Sequence, residues 1–159
     1  MNRSVTFLIG ISLASATLGA CASAKKVEAD FCSVVARTAT AQQEIVGLLN
    51  PGDGATPLPD DVKSALTTFR GALSEMASGA PAEIADDMVF VVNAFTAFDL
   101  GLQKVDYDYD RLRTDPAAAE AAQADMAAMD DPATQDAMAA VDAYSLTKCG
   151  IVLKTSRGA

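Results

Sequence analysis

Asp106-Tyr107-Asp108-Tyr109-Asp110 places three carboxylates at alternate positions, the way an EF-hand loop begins to ring a calcium ion. The rest departs from that loop. Arg111 stands at the sixth position, where glycine turns the chain, and Ala117 at the twelfth, where a bidentate glutamate closes the shell. Asp106, Asp108 and Asp110 are therefore a calcium candidate set against a simpler expectation, a solvated connection after a helix. Glu83, Asp86 and Asp87 form a second acidic group. Their place at a helix start, where carboxylates meet the positive end of the dipole, accounts for them without acid–base catalysis. The chain has no histidine, which removes imidazole bases and His-ligated metal or haem. Ser74 and Ser78 lack a nucleophile elbow and a histidine partner. Met76, Met88, Met126, Met129 and Met138 sit at helical spacing, where thioethers fill cores rather than bind copper. No enzymatic activity, no cofactor and no resident metal are expected.

The remaining reactive side chains are Cys21, Cys32 and Cys149. Met1-Asn2-Arg3 gives a positive start, and Val5 to Leu18 is uncharged and too short to span a bilayer of ~30 Å hydrocarbon. Leu18-Gly19-Ala20-Cys21 follows and resembles the lipobox of bacterial lipoproteins: an aliphatic residue, two small residues, then the cysteine that is lipidated. That resemblance implies a signal peptide over 1–20 and a lipidated Cys21 as the mature N-terminus. A diacyl group meets the two-chain condition for stable anchoring. Ala22-Ser23-Ala24 offers the alternative of ordinary cleavage before Lys25 and a soluble secreted protein. Either route consumes Cys21 and leaves an even pair in an oxidising compartment, so Cys32 and Cys149 are expected to form one disulfide, with free buried thiols as the alternative.

Helices must position these groups. A first pattern runs from about Ala29 to Leu49 through Phe31, Val35, Thr38, Gln42 and Ile45, and Asn50-Pro51-Gly52 stops it. A second opens at Pro59 with Asp60 and Asp61 in its first turn and carries Val62, Leu66, Phe69, Leu73 and Met76 to Gly79. A third opens at Pro81 and carries Ile84, Met88, Val91, Phe95, Phe98 and Leu102; Val89, Phe90 and Val92 broaden the stripe, so this helix is expected to be the most buried. Asn93 lies inside it, facing either core or solvent. A short alanine-rich helix follows Asp115-Pro116 and ends near Met129. A last helix starts at Asp131-Pro132, carries Met138, Val141 and Tyr144, and closes at Cys149-Gly150. The expected fold is all-α: an up-down four-helix bundle with one additional short helix. That topology returns Cys32 and Cys149 to one end, in agreement with the disulfide. Residues 21–28 read as the lipidated N-terminus and a short linker, 29–150 as the bundle domain and 151–159 as a tail.

Taken together, the chain is similar to a group of uncharacterised lipoproteins from the actinobacteria, the high-GC Gram-positive bacteria. The similarity rests on the lipobox, on Asp30-Phe31-Cys32, on Ala80-Pro81-Ala82-Glu83-Ile84-Ala85-Asp86-Asp87, on Asp106-Tyr107-Asp108-Tyr109 before a short helix, and on Cys149-Gly150. It implies a small disulfide-closed helical domain held at the membrane, and implies no activity. The linker here is shorter than in that group, which leaves the domain close to the membrane.

The 159 residues suit one domain, and 12 Lys+Arg against 21 Asp+Glu give a net charge of −9. No basic stripe exists to neutralise phosphates, so nucleic acid is not an expected partner. The expectation is an acidic, lipid-anchored module on the extracytoplasmic face of the cell membrane. Its partners would be that membrane and either an envelope protein or a small apolar ligand. Two alternatives stand beside it: a soluble secreted carrier holding an apolar molecule near Phe90, Phe95 and Phe98, and a carboxylate-based enzyme accessory using Asp106, Tyr107 and Tyr109.

Overall fold

The computed structural model describes the backbone of residues 19–50, 52 and 54–153, and the side chains from residue 29 onwards within that range. Residues 1–18, read above as part of a signal peptide, the side chain of Cys21 and residues 154–159 lie outside the described residues. Among the described residues the fold is all-helical. The helices are α1 (Gly19–Leu49), α2 (Pro59–Ser78), α3 (Ala85–Gln103), α4 (Tyr109–Thr114), α5 (Pro116–Met126) and α6 (Pro132–Cys149), with a 3-10 turn over Ala127–Asp130.

The apolar spacing decides which faces meet. Val62, Leu66, Phe69, Leu73 and Met76 bury one stripe of α2, and Phe31, Val35, Thr38, Gln42 and Ile45 bury the facing stripe of α1. α1 packs on α2, α2 on α3, α3 on α6 and α6 back on α1, while α5 lies against α3. Pro59, Pro116 and Pro132 each take a first-turn position, where the missing N–H costs no hydrogen bond. Asp115 caps α5 by accepting from the Ala117 and Ala118 amides, and Asp131 caps α6 by accepting from those of Ala133 and Thr134.

Four expectations from the sequence need correction. α1 begins at Gly19 instead of near Ala29, so the stretch read as a linker is helical; it holds alanines, lysines and Glu28 with no internal proline or glycine, all good helix formers. α3 starts at Ala85, because Pro81 opens only a turn closed by the Ile84 amide on the Pro81 carbonyl. Val89 and Phe90 do not broaden the buried stripe but are 57% and 48% exposed. At 100° per residue Phe90 falls opposite Met88 and Val89 lies beside it on the outer side. Residues 151–153 are no tail: beyond Gly150, whose φ of 67° reverses the chain, Ile151 packs on the core and Leu153 is 1% exposed.

Cys32 and Cys149, 117 positions apart in sequence, are joined by a disulfide with their Cα atoms 5.2 Å apart. Phe31 and Tyr144 meet edge to face beside it at 5.9 Å, which fixes the start of the domain against the last helix.

Candidate functional site

Among the described residues, the buried charged constellation is centred on Asp99, a residue that the apolar spacing of α3 does not mark. It sits one position past Phe98 on the side of α3 that faces α2, and is 5% exposed. Arg70 of α2 reaches across and donates from Nη1 to Asp99 Oδ2. Gln103, one turn on, donates from Nε2 to the same oxygen at 2.9 Å, and Tyr107 donates its hydroxyl to Oδ1 at 3.0 Å. Both carboxylate oxygens are thus met by donors, and a guanidinium balances the buried charge.

Tyr107 reaches Asp99 because the chain turns sharply after α3. The Val105 and Tyr107 amides both donate to the Leu102 carbonyl, at 3.1 and 2.9 Å. Asp106 and Tyr107 take φ values of 55° and 59° in succession, a left-handed pair without glycine. Such residues cost on the order of 1–3 kcal/mol each and persist where their surroundings hold them. Here Val105 is fully buried, the Tyr107 hydroxyl is tied to Asp99, and Lys63 Nζ lies 5.8 Å from the Tyr107 ring centroid. Burial, and then the Asp99 hydrogen bond and charge, push the Tyr107 phenol above its ordinary 10.0. A phenol held neutral is a hydrogen-bond donor to Asp99, not a base. The site is a polar clasp joining α2, α3 and the turn.

The acidic run that opens like a calcium loop is divided among three tasks. Asp106 faces Arg111 at 3.6 Å, Asp108 caps α4 by accepting from the Arg111 amide at 2.9 Å, and Asp110 pairs with Arg113 at 2.6 Å. The connection after α3 therefore contains a helix of its own, α4. Asp115 also draws on Arg111, and the Ala118 amide foremost holds its carboxyl below the usual carboxylate range. Among the described residues no group of three or more His, Cys, Asp or Glu side chains is placed to hold a metal ion.

The other candidates disperse. Asp86 and Asp87 lie in the first turn of α3, with Glu83 exposed in the turn before it. Ser78 donates to the Ser74 carbonyl, and Ser74 lines a cleft of about 110 Å³ with Arg70, Leu73, Val92, Phe95 and Thr96. Asn93 is exposed. Met76, Met88 and Met138 are core, whereas Met126 and Met129 line a cleft of about 200 Å³ with Phe98, Gln123, Ala127 and Asp130. Phe90, Phe95 and Phe98 do not line one chamber. Phe90 faces out, Phe95 stands edge-on to Phe69 at 4.9 Å, and Phe98 borders the methionine cleft. Apolar ligands of drug size occupy about 300–1,000 Å³. The larger depression on α5, lined by Leu112, Pro116, Ala119, Glu120, Gln123 and Met126, is an open surface hollow.

No helix among the described residues is long and apolar enough to cross a membrane. A scan against protein-family models finds no match, and comparisons with curated proteins and with solved structures find none either.

Proposed function

We propose that the protein is a lipid-anchored, non-enzymatic binding module of the cell envelope, held through Cys21 on the extracytoplasmic face of the membrane. The Cys32–Cys149 disulfide carries this reading, because such bonds form and persist in oxidising compartments outside the cytoplasm. The lipobox-like Leu18-Gly19-Ala20-Cys21 adds the anchor. α1 already includes Cys21 at the level of the backbone, so the mature chain would begin as helix directly at the lipid. In the finer fold reading, α1, α2, α3 and α6 make an up-and-down four-helix bundle with α4 and α5 inserted in the third connection. The closed ring of neighbours α1, α2, α3, α6 supports it. The donors that saturate Asp99 support a structural rather than catalytic role for the clasp.

Intact-mass spectrometry of the protein from its native membrane tests the reading. The expected mass lacks residues 1–20, carries a diacylglyceryl group on Cys21 and is two hydrogens short for one disulfide. A chain starting at Met1 with reduced Cys32 and Cys149 overturns it. A chain starting at Lys25 replaces the anchor with soluble secretion.

A further inference from the structure

We propose that the outward face of α3 pairs antiparallel with the same face of a second copy of this chain. This inference stands on α3 alone and needs no lipid. Along the helix, Asp86, Val89, Phe90, Asn93, Ala97, Leu100 and Lys104 recur at three- and four-residue steps and so share one side. Val89, Phe90 and Leu100 are 57%, 48% and 48% exposed, although α3 also packs on α2, α5 and α6. Three large apolar side chains on one side of a helix otherwise built into the core form an unpartnered patch.

The occupant follows from the order of residues along the face. A two-fold axis at the level of residue 95 sets Phe90 against the partner's Leu100, Asn93 against the partner's Ala97, and Asp86 against the partner's Lys104. Apolar meets apolar, the small residues fall at the crossing where helices approach to about 8–10 Å, and opposite charges close both ends. Moving the axis by about two residues sets Leu100 against the partner's Asp86, or Phe90 against the partner's Lys104. A parallel pair would stack Asp86 on the partner's Asp86 and Lys104 on the partner's Lys104. One register in one orientation therefore pairs Phe90 with the partner's Leu100 and Asp86 with the partner's Lys104 at once. Lys104 also contacts Asp125 of its own chain at 2.6 Å, so in the pair its ammonium would be shared between that carboxylate and the partner's Asp86. A single helix face per copy and a net charge of −9 on each make this a weak dimer, formed at high local concentration.

The test uses the protein as isolated, with its Cys32–Cys149 disulfide intact. Asp86→Cys and Lys104→Cys variants, differently tagged, are treated at high concentration with a short bis-maleimide. The mixture is expected to yield a cross-linked heterodimer, and each variant alone little. In the antiparallel pair, like positions at 86 lie roughly 27 Å apart along the axis at 1.5 Å per residue. The parent chain, carrying neither new cysteine, supplies the background. Sedimentation equilibrium of the parent against Phe90→Ser, which alters no core residue, provides a measurement independent of the cysteines. The variant is expected to weaken association by about tenfold or more with an unchanged melting curve. Three outcomes overturn the proposal: a parent monomeric at the highest concentration reached, an Asp86→Cys variant that cross-links to itself as well as to Lys104→Cys, or association indifferent to Phe90→Ser. Binding of the parent, but not Phe90→Ser, to neutral phospholipid vesicles without any dimer would reassign the face to a lipid surface and overturn it too.

Discussion

Tyr107 sits in a left-handed backbone conformation and hands its only proton donor to a buried carboxylate, so its ionisation is tied to the fold. Its folded pKa lies above the unfolded value of 10.0, and the folded chain therefore prefers the neutral phenol. That contribution is whole below the unfolded pKa and is lost as pH rises through the folded one. Urea midpoints measured from roughly pH 9 to pH 11 are expected to fall more steeply for the parent than for Tyr107→Phe. At neutral pH the variant is expected to be less stable by about 1 kcal/mol, the net value of one hydrogen bond. Equal slopes would show that Asp99 does not hold the phenol. At this scale the sequence was a partial guide. Tyr107 was visible in the acidic run, but its partner was hidden. Asp99 lies beside an apolar stripe where solvent exposure is the ordinary expectation, and Arg70 comes from another helix. Only three-dimensional closure of α2 on α3 brings the two together.

The helices themselves show where periodicity is a sufficient guide and where it is not. In α2 every residue of the 4-3-4-3 spacing is buried, because that stripe lies between α1 and α3. Along α3 and the residue before it the same logic places Ile84, Met88, Val91 and Leu102 correctly, yet hydrophobicity alone could not tell Val89 and Phe90 from core residues. Their angular position could. At α4 an aspartate that caps a short helix and one that ligates a metal look alike in a row of letters; the Arg111 amide decides between them. Close contact between α3 and α5 gives a second prediction. A Cβ built at Gly101 would stand 2.7 Å from Met126 Cγ and 3.2 Å from the Ala122 carbonyl oxygen. Alanine should gain about 1 kcal/mol of helix propensity there and lose about 1–3 kcal/mol to overpacking. Denaturant titration of Gly101→Ala is expected to show net destabilisation, and increased stability would mean that α5 moves aside freely.

For the whole molecule, cysteine spacing and helix order together implied the staple, and the staple is present. What the sequence could not supply was the fate of the chain on either side of it: the backward extension of α1 to Gly19 and the return of Leu153 to the core both lie beyond the caps and stops that punctuate a helical pattern. Closing a loop of this length stabilises the domain by ~4–5 kcal/mol at the upper end of the chain-entropy model, so reduction should lower the melting temperature markedly.

The bridge also governs how tension would run through the protein. A pull applied to the two ends enters along α1, crosses from Cys32 to Cys149 through sulfur and leaves beyond α6, so the 117 residues of separation between the cysteines stay out of the load path. In a single-molecule stretching measurement the oxidised protein should lengthen only by what lies outside the bridge. After reduction the hidden contour should pay out on the order of 400 Å, at about 3.6 Å per residue. A domain hung from a surface by one end and tugged at the other would then hold its shape as a closed link does.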